Sequence, residues 1–130
     1  MKFLIDTGAN KNYINPSKFL NLEIFKANPS FVRNVSGIHQ INEFVQFSPL
    51  YNQPPITFFL FEFHPFFDGL IGYQTLTQLR ADILTSSNTL KFPGSSIKME
   101  RKYLNSLFSS IYLLNLPVYG NNNIWLNGET

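Results

Sequence analysis

Apolar stretches in this chain are short, rich in aromatic residues, and cut every few positions by Pro, Gly, Asn or Asp. That punctuation favours strands and tight turns over long helices. Phe alone occurs 14 times in 130 residues, and bulky aromatic side chains suit pleated, half-buried surfaces. Phe3 to Ile5 is a fully apolar run of the kind that forms a buried strand. The segments 31–35 and 40–47 read as two strands flanking Ser36-Gly37-Ile38-His39, where Gly37 supplies the positive φ that a hairpin tip needs. In the second of these, Ile41, Glu43, Val45 and Phe47 share one face. Ile56 to Phe63 reads as a central strand ended by His64-Pro65, and 88–92 as a further strand closed by Pro93-Gly94. The period changes only after Leu70-Ile71-Gly72, where Leu76, Leu79 and Ile83 recur at helical spacing. A second helical spacing runs over 97–108, and 113–127 reads as a hairpin over an Asn-rich turn.

The bulk numbers narrow the functional classes. Hydrophobic residues make up 44% and charged residues 14%, enough apolar material for a core and too little charge for a disordered chain. A formal net charge of +2 without a dense Lys/Arg patch gives no footprint for nucleic acid. With no cysteine there is neither a disulfide framework nor a thiolate metal site, which fits a reducing compartment. No secretory leader is legible before Asp6, and the longest apolar runs fall short of a membrane span. The expectation is a cytoplasmic, intracellular protein with no membrane partner.

One feature carries chemistry. The apolar strand ends in an acid, followed by a hydroxyl residue, a glycine and an alanine: Leu4-Ile5-Asp6-Thr7-Gly8-Ala9. A carboxylate beside a buried strand is unfavourable unless it is paired or hydrogen-bonded. Downstream come a glycine-containing hairpin (35–40), then Leu70-Ile71-Gly72 leading into a helix from about Tyr73 to Leu79. Alone, Asp-Thr-Gly commonly marks a plain turn; together, these elements in this order resemble the retropepsin-like aspartic proteases of retroviral and LTR-retrotransposon polyproteins, over roughly residues 1–92.

The resemblance implies an all-β, retropepsin-like fold, a closed β-barrel-like half with one short helix after the Leu-Ile-Gly motif. The protease domain would span 1–94, without the strands that usually precede the catalytic Asp, and 95–130 would be a C-terminal extension or polyprotein linker. It implies an aspartic endopeptidase acting in polyprotein processing. Asp6 would be the catalytic residue, once from each subunit of a homodimer, because one chain supplies only one Asp-Thr-Gly and two close carboxylates must share a proton. Thr7 and Gly8 would support the site, and Ala9, Gly37 and Ile38 would bind an extended peptide substrate, the last two from a flap. Leu70, Ile71 and Gly72 would back the active-site loop. No metal or organic cofactor is implied. In several relatives an acid follows the Ala and an arginine follows the late Gly, forming an ion pair near the subunit interface; here Asn10 and Tyr73 stand there, so both partners are replaced together. With five residues before Asp6, Met1 would be an internal start in a longer frame or the chain a truncated relic.

Other candidates have plainer readings. Asp68-Gly69 is a common turn dipeptide rather than a second acid. His39 and His64 are isolated and lack metal-ligand spacing, although His39 adjoins the flap tip. Asn34-Val35-Ser36 is a chance glycosylation sequon. Glu23 and Glu62 would face solvent, and Lys98, Arg101 and Lys102 would form the solvated face of a helix. Two rival functions remain: a retropepsin-fold remnant that no longer cleaves and acts as an interaction or dimerisation module, and an unrelated small β-domain in which Asp6 ends a strand.

Overall fold

The computed structural model describes residues 1–17, 22–34, 37–48, 50, 53–62, 67–103 and 110–116. Within these the chain is all-β with one short helix. It divides into two compact units: 1–12 with 64–117, and 13–63 with 118–130.

The first unit is built on β1 (Lys2–Asp6), β6 (Gly69–Gly72), β10 (Glu100–Tyr103) and β11 (Ser110–Asn115). Their order is β10-β11-β1-β6. β1 runs parallel to β6, with Phe3, Leu4, Ile5 and Asp6 opposite Gly69, Leu70, Ile71 and Gly72. On its other side β1 is antiparallel to β11, Phe3 facing Leu114 and Leu4 facing Leu113. Side chains alternate between faces with period two. One face thus carries Phe3, Ile5 and Ile71, all buried; the other carries Leu4, Leu70 and Asp6, all half-buried. The end remote from Asp6 is laced by paired backbone bonds, Met1 to the Leu116 carbonyl and Leu116 to the Met1 carbonyl. A Lys2–Glu100 ion pair at 3.4 Å lies beside them.

From Gly72 the chain enters α1 (Tyr73–Gln78). The helix ends in a Schellman motif: the Arg80 N–H donates to the Thr77 carbonyl and the Ala81 N–H to the Leu76 carbonyl. Arg80 takes the left-handed conformation (φ 55°) at the position where such motifs favour glycine. β7 (Asp82–Leu84), β8 (Thr89–Phe92) and β9 (Ser95–Lys98) follow as an antiparallel sheet in that order, with β7 at one edge. Asn88, also left-handed (φ 51°), turns β7 into β8, as Asn tolerates.

The second unit contains β2 (Tyr13–Ile14), β3 (Phe25–Asn34), β4 (Gly37–Phe47) and β5 (Ile56–Leu60), ordered β2-β5-β4-β3. The alternation expected for 40–47 holds for its apolar members: Ile41, Val45 and Phe47 are buried. Glu43, on the same face by count, pairs instead with Lys26 across the β3–β4 ladder. Phe47 stacks on Phe58 at 4.5 Å, and aromatic contacts also run from Tyr13 through Phe59 and Phe44 to Phe25. The Phe count therefore reflects cross-strand packing.

The helix expected over 97–108 is not what forms in its described part. Residues 95–98 and 100–103 are strands, because Leu90–Ile97 and Arg101–Tyr112 pairing across ladders outweighs a loose helical spacing. Lys98, Arg101 and Lys102 are exposed, but on strands. Of the expected 113–127 hairpin, only 113–116 is described, and 113–115 belong to β11. Glu23 and Glu62 are exposed as expected. His64, Val35 and Ser36 lie outside the described residues.

Candidate active site

Asp6 closes β1 and is half-buried. The turn after it satisfies its polar groups locally. The Gly8 N–H donates to Asp6 Oδ1 at 2.8 Å, and the Ala9 N–H to the Asp6 carbonyl at 3.3 Å. A backbone donor aimed at a carboxylate fixes one oxygen and leaves the other available. Gly8 is matched to this contact: an added Cβ would stand 3.2 Å from that same Oδ1, tight enough to push the carboxylate aside. Thr7 and Gly8 are exposed at the tip of the loop, and Ala9 is half-buried.

The loop is held from below by the Leu70-Ile71-Gly72 strand and the start of α1. Gly72 lies beside Asp6 in the parallel ladder, and its N–H donates to Asn12 Oδ1 at 2.8 Å. An added Cβ on Gly72 would lie 2.3 Å from the Lys11 carbonyl oxygen and 2.7 Å from that of Ala9, so no other residue fits without moving the loop. The first N–H groups of a helix have no intrahelical acceptors. Here Tyr73 donates to the Ala9 carbonyl at 2.7 Å and Gln74 to the Asn10 carbonyl at 3.2 Å. Asn12 Nδ2 donates to Thr75 Oγ1 at 2.6 Å in a buried bond. Asn12 thus links loop, strand and helix. Sequence reasoning missed both Asn12 and Thr75. A polar residue buried for its hydrogen bonds leaves no periodic signal, and the only hint was an Asn shortly after the Asp-Thr-Gly triplet.

Asp68 is not a second acid at this site. It stands at the far end of the β1–β6 pair, four positions and about 13 Å along the strands from Asp6. There its Oδ2 accepts the Lys2 N–H at 2.8 Å, and its own N–H donates to the Lys2 carbonyl at 2.8 Å. Asp68 thus leads into β6 and ties it to the start of β1. Among the described residues no three His, Asp or Glu side chains converge as metal ligands would.

Gly37 and Ile38 belong to the other unit. Gly37 (φ 129°) starts β4 with open space around it, and Asn34–Gly37 is the last pair of the β3–β4 ladder. Ile38 is 61% exposed and Phe31, on the same face of the hairpin, 69%. On the opposite face Val32 and His39 are half-buried, and the His39 ring lies 5.2 Å from that of Phe61.

The chain is similar to the retrovirus-related Pol polyprotein from transposon gypsy of Drosophila melanogaster, with 32% identity over 99 residues. Those residues are 76% of this chain, which spans 9% of that relative's length. No protein-family description and no solved structure matches the chain. Among the described residues no helix is long and apolar enough to cross a membrane.

Proposed function

The chain shares its origin with the retrovirus-related Pol polyproteins of retrotransposons, and from that premise we propose that it is an aspartic endopeptidase segment of such a polyprotein. The observation that carries the reading is the Asp6 carboxylate, held by the Gly8 N–H at a strand end whose loop is pinned through Gly72 and Asn12. A turn needs no such support, whereas a reacting carboxylate must be held to within a fraction of an ångström.

On this reading two copies bring their Asp6 carboxylates together about a two-fold axis, and the pair shares one proton because two adjacent anions are disfavoured. The pair titrates as a unit. The ionised member takes a proton from water while the water oxygen bonds to the scissile carbonyl carbon, and the protonated member gives its proton to the carbonyl oxygen. The resulting diol collapses as the C–N bond breaks. Its nitrogen takes the proton from the first carboxyl, and one hydroxyl returns a proton to the second, restoring the starting state. Thr7 and Gly8 support the pair, and Ala9, Gly37 and Ile38 contact the extended peptide. Leu4 and Leu70, on the face of the strand pair that also carries Asp6, supply an apolar surround.

Purified protein incubated with peptide libraries at roughly pH 4 to 6, where a carboxylate dyad shares its proton, is the test. The expected result is cleavage that disappears in Asp6→Asn and is blocked by a pepstatin-type mimic of the tetrahedral state. Cleavage that survives in Asp6→Asn overturns the mechanism. A dimer that never cleaves makes the chain an interaction module instead.

A further inference from the structure

We propose that the aromatic row crossing the second unit, Phe25-Phe44-Phe59-Tyr13, is a docking surface for the C-terminal segment of this same chain, residues 118–130, which lays its Ile124-Trp125-Leu126 triplet on the rings. The inference stands apart from the catalytic reading above and goes beyond it.

The four aromatics form a single register row. Phe25 is opposite Phe44, Phe44 opposite Phe59, and Phe59 opposite Tyr13. Successive ring centroids are 5.4, 5.8 and 6.4 Å apart. Directly opposite side chains share a face of the sheet, so the rings make one strip across β3, β4, β5 and β2. That face is the one turned away from the core. The residues alternating with them, Ile14, Val45 and Phe58, are fully buried, whereas the four rings are only half-buried. A sheet with one face on a core commonly turns polar residues to the other. A contiguous apolar strip in their place marks a contact surface.

The chemistry around the strip points to its occupant. On the two central strands its flanks are neutral: Asn42 and Gln46 lie beside Phe44, and Thr57 lies beside Phe59. Gln46 Nε2 donates to Thr57 Oγ1 at 3.0 Å. A highly charged partner finds no complementary charge on these flanks, and an apolar segment set among amides fits them. Residues 118–130 are such a segment. They contain no Lys or Arg, a single acid (Glu129), the amides Asn121, Asn122, Asn123 and Asn127, and the sole tryptophan of the chain within the apolar triplet.

Connectivity supports the same occupant. Residues 118–130 group with 13–63 as one compact unit, although the stretch before them, 64–117, belongs to the other. The strip is roughly 14 Å across, three strand spacings, and thirteen extended residues reach at most about 45 Å. A tethered segment also holds a high effective concentration over a free competitor. Residues 118–130 thus act as a cover for an aromatic surface, in place of a linker that touches nothing.

Trp125 reports on the docking directly, because indole fluorescence in this chain comes from that residue alone. The full chain is compared with a synthetic 118–130 peptide. Its emission is expected to lie to the blue of the peptide's, with acrylamide quenching at least about threefold weaker. Phe44→Ser and Phe25→Ser each remove one ring from the strip; Phe25 is on the edge strand β3, where the burden on the fold is least. Each variant is expected to shift the emission toward that of the free peptide and raise quenching by about twofold to tenfold, with an unchanged far-ultraviolet dichroism spectrum. Nuclear Overhauser contacts from the Trp125 indole to the Phe44 or Phe59 ring in the wild-type chain test the same point without substitution. A wild-type indole as accessible as that of the free peptide overturns the proposal. So do folded Phe25→Ser and Phe44→Ser variants that leave the emission unchanged, indole contacts confined to another surface, or a blue shift that disappears on dilution, which would place the segment on a second copy. None of these readouts uses cleavage, so the docking and the catalytic reading fail separately.

Discussion

Asp6 and Gly72 lie side by side as the last residue pair of the parallel β1–β6 ladder. A residue at the start of the chain and one far along it are thereby set in one plane. The loop that follows Asp6 passes directly over Gly72, at a distance that excludes even one methyl group.

Gly72→Ala is therefore a small change with a large expected effect. Its Cβ would sit 2.3 Å from the Lys11 carbonyl oxygen, which is backbone and cannot rotate away. Overpacking of this kind costs about 1–3 kcal/mol, and more where backbone must move. Urea unfolding should show a loss of at least about 2 kcal/mol, with cleavage falling further than stability because the Asp6 loop is what moves.

Asn12→Leu keeps the branched outline of the side chain and removes its hydrogen bonds to Gly72 and Thr75, leaving the buried Gly72 N–H and Thr75 hydroxyl without those partners. Each unsatisfied group costs about 1–3 kcal/mol. Thr75→Val removes only one of the two bonds and is expected to cost less. Denaturation midpoints of the two variants should therefore fall in that order; equal losses would mean that Asn12 does not act through both bonds.

Truncation after Gly94 removes β9, β10 and β11 and bares the edge of β1 next to the active-site loop. Leu113 and Leu114 are fully buried and face Leu4 and Phe3. Burying a large aliphatic side chain is worth about 2–5 kcal/mol when measured by truncation to Ala, comparable to much of a small domain's stability. Residues 1–94 alone are expected to lack a cooperative thermal transition, and Leu114→Ala in the full chain to lower Tm clearly.

Glu100 supplies a pH dependence. A hydrogen bond from Asn115, then the charge of Lys2, holds its carboxyl below the usual carboxylate range. A group whose pKa is depressed by folding stabilises the native state above its unfolded pKa, and that contribution is lost as pH falls through the folded value. Glu100→Gln should therefore lower the urea midpoint slightly at neutral pH. The gap should close on acidification below about pH 4.5, the ordinary value for this group.

Much of this architecture was legible because it is local. Phe3-Leu4-Ile5 before Asp6 and Leu70-Ile71-Gly72 before α1 each carry a short-range signature, and each forms the expected element, whereas Gly37, Ile38 and His39, expected as a tip between two strands, are paired residues of β4 itself. What stayed hidden depends on distant partners. β10 and β11 have only a loose apolar spacing, and their strand character comes from pairing with β1 and with each other. Asn12 and Thr75 were missed for the same reason: a polar residue chosen for two buried hydrogen bonds looks, along the chain, like any other. Arg80 was overlooked because helix ends are usually read from glycine, and this one ends on a charged residue.

If the reacting group is a shared carboxylate dyad, each reacting site needs two copies of Asp6. Mixing wild-type chains with Asp6→Asn chains at constant total concentration, after exchange of subunits, measures this directly. If every site needs an Asp6 from both copies, peptide cleavage falls as the square of the wild-type fraction, to about a quarter at an equal mixture. A linear fall, to about half, would show that one Asp6 suffices and would contradict the account.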